Sequence, residues 1–345
     1  MRPTGAGETR ALLTMWFTGA VSLLLMGVMV YFGTVDIAAG EVSEALENLL
    51  TGRSTGSVAE LIVGGVRVPM GVTAFIAGMG LAVAGLLMQT TFNNPLAGPS
   101  ILGISTGASL GVAVVMLALG GLLGSGISYY SGILLGAFVG AGVVMLALLG
   151  FSMLVRGNAM LLIMGILIGY LASSAISLLN FFSTQQGVHS YVIWGMGNFG
   201  GLTWERVGVL TAITVVFTAL SMLMVKPLNA MLLGRQYAES MGVDVKMTRN
   251  VLLILSGALT AGVTAFCGPI GFLGLVMPHV ARMLTGTSNH VTLLPATALT
   301  GGCGGLLCAC ISVSCGGGQI MPVNAITPLI GVPVIVYVIL NRKKL

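Results

Sequence analysis

The residues of this 345-residue chain that could do chemistry are few and poorly grouped. Gly103-Ile104-Ser105-Thr106-Gly107 fits Gly-x-Ser-x-Gly, the turn that presents a serine nucleophile in many hydrolases. Such a serine needs a positioned base. His189, His279 and His290 are remote in sequence, and no acid in an apolar run could orient them. Small residues that let a helix start pack closely are the simpler reading. Cys303 and Cys310, and Cys308 and Cys315, are pairs seven apart, so they follow helix faces in an apolar region, with Cys267 apart from them. Without a Cys-x-x-Cys pair or a histidine cluster they read as small packing residues, not as a metal site. His279 follows Pro278, where a hydrogen bond to backbone freed by the proline is expected ahead of metal or haem ligation. The 21 methionines suit a soft lining but are also ordinary filler. Gly-x-x-x-x-Gly-Lys-Ser/Thr is absent, so the chain carries no phosphate cradle of that kind for ATP. No basic stripe with interleaved aromatics suggests nucleic acid.

The elements that must position these residues belong to a membrane. Hydrophobic residues make up 56% of the chain and charged ones 7%, with a mean hydropathy of +1.04. A soluble domain has roughly 25% charged residues, so an all-α integral membrane protein is expected. The 52 glycines, scattered inside the apolar runs, suit helices that pack by close backbone approach. Windows of roughly 20 apolar residues predict about ten spans, near 12–32, 68–90, 100–120, 131–154, 159–181, 203–225, 247–267, 271–285, 292–313 and 323–340. The first is too long for a signal-peptide core and reads as a retained anchor. Pro278 is expected to interrupt the eighth.

With the N-terminus in the cytoplasm, the inside segments hold 11 of the 14 basic residues and the outside segments hold Arg53, Arg67 and Arg206. That asymmetry obeys the positive-inside rule and puts both termini inside. Outside, residues 33–66 predict a surface helix around Glu41–Leu50, and 181–201 a short helix that does not span. Inside, residues 226–250 form the largest loop, with Asn229 as a possible helix cap and Gly234 and Gly242 dividing it into two short helices. No Asp or Glu falls in the core of a span, which argues against a self-sufficient ion-coupled carrier or channel, the alternative reading. An intramembrane hydrolase ranks below both. If the chain belongs to a pump, a separate subunit must supply the energy.

Several blocks, in order and along nearly the whole chain, resemble the permease family of ABC importers for ferric siderophores, haem and cobalamin. They are "RVPMGVTAFIAGMGLAVAGLLMQTTFNNPLAGPSILGISTGAS" (67–109), "WGMGNFGGLTW" (194–204), "LGRQYAESMGVDV" (233–245), "GPIGFLGLVMPHVARMLTGTSNH" (268–290) and "ITPLIGVPVIVYVIL" (326–340). The resemblance implies a single permease domain over 1–345 with ten spans, the fold of type II ABC importers, in the cytoplasmic membrane. It implies a second copy alongside, most simply a homodimer, with the substrate path on the two-fold axis. Two ATPase subunits would sit below and a periplasmic or lipid-anchored binding protein would dock above. ATP would be bound by the partner, and this chain would need no cofactor.

The same resemblance assigns roles residue by residue. Asn94, Pro95 and Leu96 match the loop that narrows the path at its cytoplasmic end, where an uncharged, stiff segment neither traps a large ligand nor sags. Asn158 and Ala159 stand at the facing constriction, where relatives usually carry two hydroxyl residues. The loop 226–250 matches the paired coupling helices that lie in a groove of the ATPase, through Gly234, Arg235, Ala238, Glu239 and Gly242. Relatives also dock the binding protein through an outside Arg-x-Pro-Arg block and an arginine before the last span. Here Arg67 is kept, Met70 replaces the second arginine, and "CACISVSCGGGQIMP" has none.

Overall fold

In hydrocarbon every backbone group must be paired within the chain, which leaves helices or a closed barrel; here every regular element among the described residues is helical. The computed structural model describes all residues except 1–4, 54, 120–126, 156, 317 and 341–345, with backbone alone at 5–8, 127, 128, 158 and 339. α1 (Gly5–Tyr31) leads to a short helix, α2 (Ala39–Thr51). α3 (Val58–Ile62) passes through a π-helical turn, Val63–Arg67, into α4 (Val68–Phe92). α5 (Ile104–Ala113) is extended by a second π-helical turn, Val114–Ala118. Then come α6 (Ile127–Leu154), α7 (Asn158–Phe182), α8 (Gln185–Gly195) and α9 (Trp204–Leu223). α10 (Val225–Met231) and α11 (Arg235–Ser240) form the inner pair. α12 (Val245–Cys267), α13 (Leu273–Thr285), α14 (His290–Ser314) and α15 (Val323–Leu340) complete the chain.

Among the described residues, seven helices are long and apolar enough to cross a membrane: α1, α3 with α4, α6, α7, α9, α12 and α14. The shorter α5 with its π turn, α13 and α15 bring the set to ten, and each of the ten apolar windows read from the sequence overlaps one of them along most of its length. The surface helix expected around Glu41–Leu50 is α2, held by buried Val42 and Ala45 and ended by Gly52 in the left-handed region. The short helix expected within 181–201 is α8, whose Thr184 hydroxyl accepts from Gly187 N at 3.2 Å and which buries none of its residues.

α4 occupies the centre, packed against α14, α12, α13 and α9, while α5 packs on α6. A helix apolar on every face belongs inside a bundle, and α4 buries all but a few of its residues. Small residues permit this. A Cβ at Gly111 of α5 would stand 1.8 Å from the carbonyl oxygen of Gly136, and one at Gly140 of α6 would stand 2.1 Å from that of Gly107. The two backbones therefore touch along facing Gly-x-x-x-Gly pairs. Gly107, the last residue of the Gly-x-Ser-x-Gly run, serves this packing.

The structure corrects the reading of Pro278, which lies inside a continuous α13. Proline removes one N–H and frees the carbonyl four residues earlier, here that of Gly274. That carbonyl points at Gly85 of α4, where a Cβ would come within 1.6 Å of its oxygen. Cys267, Cys308 and Cys310 are buried packing residues as expected, whereas Cys303 is half-buried and Cys315 exposed. No group of three or more metal-ligating side chains occurs among the described residues.

Candidate functional site: the inner turn and the paired inner helices

The segment after α4 is held from three sides. Asn93 ends the helix in the left-handed region with φ 47°, a conformation asparagine tolerates better than most residues. The Asn94 side chain accepts from Leu96 N at 3.0 Å, and its backbone N–H donates to Gln89 O at 3.1 Å. His279 of α13 donates from Nε2 to the Pro95 carbonyl at 2.8 Å. Gln89 reinforces the same corner, donating to Leu275 O at 3.0 Å and accepting from Arg282 Nη1 at 2.7 Å. The turn is uncharged and its backbone is fixed, while Leu96 remains 43% exposed.

His279 does bond to a backbone carbonyl, as expected, but one 184 residues away and not one freed by its own proline. Nothing in the sequence pairs the two segments, so this contact was missed, as were Gln89 and Arg282. Ala159 is exposed in the first turn of α7, and the Asn158 side chain lies outside the described residues. Further along α7, Gly165 and Gly169 meet Gly103, where a Cβ would stand 2.9 Å from Gly165 O. That contact joins the start of α5 to α7 just beyond the turn.

The inner loop folds as two short helices. Gly234 at φ 99° precedes α11 and Gly242 at φ 84° follows it, positions that strain any residue with a Cβ. Asp244 then caps α12, its Oδ1 accepting from Met247 N at 2.9 Å. Ala238 is fully buried, and Arg235 and Glu239 form an exposed ion pair at 2.8 Å. The pair also exposes Leu232, Leu233, Tyr237 and Met241. Asn229 is not the cap expected of it: it lies inside α10 and reaches across to the start of α14. Its Nδ2 donates to Asn289 Oδ1 at 2.8 Å, and its Oδ1 accepts from His290 N at 2.8 Å. Beside α11 is a cavity of about 450 Å³ lined by Ser152, Arg235, Lys246 and Arg249 among others. Arg249 closes one wall by donating to Ser152 O at 2.6 Å.

Arg67, expected as an exposed docking charge, is 5% exposed. Its Nη1 donates to Val30 O at 2.8 Å and Tyr31 O at 3.0 Å, and Nη2 donates to Val35 O. The first two are carbonyls at the end of α1, where a cation also meets the negative end of the helix, and the third lies just beyond it. The side chain therefore ties α1 to the start of α4. Ser100, Ser105, Thr106, Ser109, Tyr191 and Asn324 contribute to a second cavity of about 390 Å³. Burial pushes the Tyr191 phenol up to about 12, so it stays neutral. Asn324 is committed to the loop before α13, accepting from Gly271 N at 3.0 Å.

Residues 19–341 match the FecCD transport family. The chain is 32% identical over 326 residues to the vitamin B12 import system permease protein BtuC of Salmonella arizonae, covering 93% of this chain and 94% of that protein. The same protein of Salmonella typhi gives 32% identity over 93% of this chain and 95% of the relative. A solved structure described as an inward-facing metal-chelate type ABC transporter superposes with a TM-score of 0.81 at 26% identity, over 95% of this chain and 98% of that one. Family, fold and coverage agree along the whole bundle, and the chain belongs to the FecCD transport family as a multi-pass permease of an ABC importer.

Proposed function

We propose that this permease works as a pair of identical copies, each a single domain, whose inner helices α10 and α11 seat in two ATPase subunits. The observation that carries this is the inner pair itself. Two short helices, the second bounded by glycines at φ 99° and 84°, present Leu232, Leu233, Tyr237 and Met241 to solvent beside the Arg235–Glu239 ion pair. Exposed apolar side chains with a polar rim mark a protein contact. With 11 of 14 basic residues on that side, both termini face the cytoplasm. ATP is bound by the partner subunits, and the permease has no ATPase site or cofactor of its own.

The likeness to the vitamin B12 permeases and to a metal-chelate transporter supports a corrinoid or ferric chelate as cargo, delivered by a binding protein on the outer face. The side-chain polar groups of the path-side cavity are hydroxyls and an amide and none is charged, which suits contact with a neutral ligand. The turn at Asn94, Pro95 and Leu96 closes the inner end of this path, with Asn158 and Ala159 of α7 on the opposing wall. Arg67 supports the outer docking face from beneath by fixing α1 against α4. The direct test is uptake into sealed vesicles that contain the permease with and without its ATPase subunit. Uptake that stops without the ATPase is expected, and undiminished uptake would instead identify a self-sufficient carrier.

A further inference from the structure

α10 is bonded into the bundle by a short polar chain. Asn229 Oδ1 accepts both the backbone N–H of His290, at 2.8 Å, and its ring at Nδ1, at 2.9 Å. An amide oxygen only accepts, so this places the imidazole proton on Nδ1 and leaves Nε2 as an acceptor. The Thr90 hydroxyl lies 2.9 Å from Nε2 and donates to it, sharing its proton with Leu86 O at 3.0 Å. His290 is fully buried and Thr90 is 5% exposed. Thr90 belongs to the last turn of α4, and its carbonyl accepts from Asn93 N at 3.2 Å, where the inner turn begins. An unbroken line of hydrogen bonds thus runs from the inner helix pair, through one imidazole, to the segment ending at Leu96.

We propose that Asn229, His290 and Thr90 are positioning residues that deliver movement of α10 and α11 to the turn at Asn94, Pro95 and Leu96, an inference that rests on the gate and coupling roles given above. A buried imidazole bonded at both nitrogens is stiff, and each of its partners sits on an element with its own role. Asn229 is tied to the start of α14 by three bonds, whereas the ring reaches Thr90 by one, so in a site this closed loss of the Thr90 contact uncouples the two elements.

The test reads gate movement directly and needs no cargo. In the complex of full-length permease with its ATPase subunits, the five cysteines are replaced and Leu96→Cys is introduced. Its labelling rate by a soluble maleimide is then measured before and after trapping with ATP and vanadate. The expected result is a change of about tenfold in the parent and in Thr90→Ser, which keeps the hydroxyl. Thr90→Val, of nearly the same shape, and His290→Leu, which keeps the backbone bond to Asn229 but loses the ring's bond to Thr90, should trap nucleotide normally yet change less than twofold. Combining Thr90→Val with His290→Leu should add nothing to either alone. A full tenfold response in Thr90→Val or His290→Leu would overturn the link, as would failure of Thr90→Val to assemble, which would make the contact purely structural. Gly242→Trp separates the underlying reading: if it also responds fully, α10 and α11 are not the coupling contact at all. No response in the parent would remove the gate.

Discussion

α4 and α7 are equally apolar and of equal length, 25 residues each, yet the bundle treats them in opposite ways. In its most apolar stretch the helix containing α4 is 83% buried inside the chain, and α7 only 17%. α4 presents Gly78, Gly80, Gly85 and a run of alanines to its neighbours, while α7 turns Leu167, Tyr170, Leu171, Leu178, Phe181 and Phe182 outward. In lipid there is no hydrophobic gain in hiding one apolar helix behind another, so residue size decides which helix is enclosed. α4 is therefore the internal post that carries Arg67 at one end and the inner turn at the other. α7 is a face left for lipid or a second copy, and in the proposed dimer its first turn opposes the inner turn.

The sharpest way to break this comparison is to make the two helices exchange tolerance. Gly85→Leu must push against the Gly274 carbonyl, which lies 1.6 Å from where its Cβ would be. Overpacking ordinarily costs roughly 1–3 kcal/mol, and rigid backbone contact exceeds that range, so membrane accumulation of the folded permease should be lost. Leu171→Ala on α7 should accumulate normally, because Leu171 is 73% exposed and leaves no internal cavity. Equal yields on immunoblots of purified membranes would contradict the assignment of α4 to the core.

A second experiment sharpens the contrast by asking what covers α7. With the native cysteines replaced, Leu171→Cys should cross-link two copies under mild oxidation if the helix lines the dimer axis. Monomer alone on non-reducing gels would turn this face to lipid and require the second copy elsewhere.

The smallest effect is expected at the outer end of α4. Arg67→Ala leaves the Val30 and Tyr31 carbonyls at the end of α1, and the Val35 carbonyl beyond it, without their donor; the buried Val30 bond is a loss of about 1–3 kcal/mol, and the two part-buried bonds lose less. A lower thermal midpoint for the detergent-solubilised permease is expected, with Arg67→Lys recovering part of it. If Arg67 serves docking alone, Arg67→Glu will keep the wild-type midpoint and instead slow association of the binding protein most at low salt.

How much of this was legible in the sequence follows from where each residue finds its partners. Helix positions were legible, because hydropathy and the turn chemistry of Gly234 and Gly242 act within a few residues. So was the character of the inner turn, since its amides and prolines fix the backbone locally. Burial was not legible: Arg67 looked like a surface charge because the carbonyls it binds lie 32 to 37 residues earlier. Asn229 looked like a cap because Asn289 and His290 lie 60 and 61 residues later. Pro278 looked like a break because the close fit of Gly85 against Gly274 belongs to tertiary structure alone.

The central claim is that the turn after α4 closes the inner end of a path by shape, with no ion pair involved. The measurement that tests it most directly is leak through the double variant Asn94→Ala with Leu96→Ala, reconstituted with its ATPase in sealed vesicles. Both side chains are only partly buried, so assembly should survive. Efflux of a preloaded neutral solute of about cobalamin size, with no ATP present, should then rise at least tenfold over the parent while ATP-driven accumulation falls. An assembled double variant that stays tight and still accumulates its cargo would show that the segment is a stiff connection and that the path closes elsewhere.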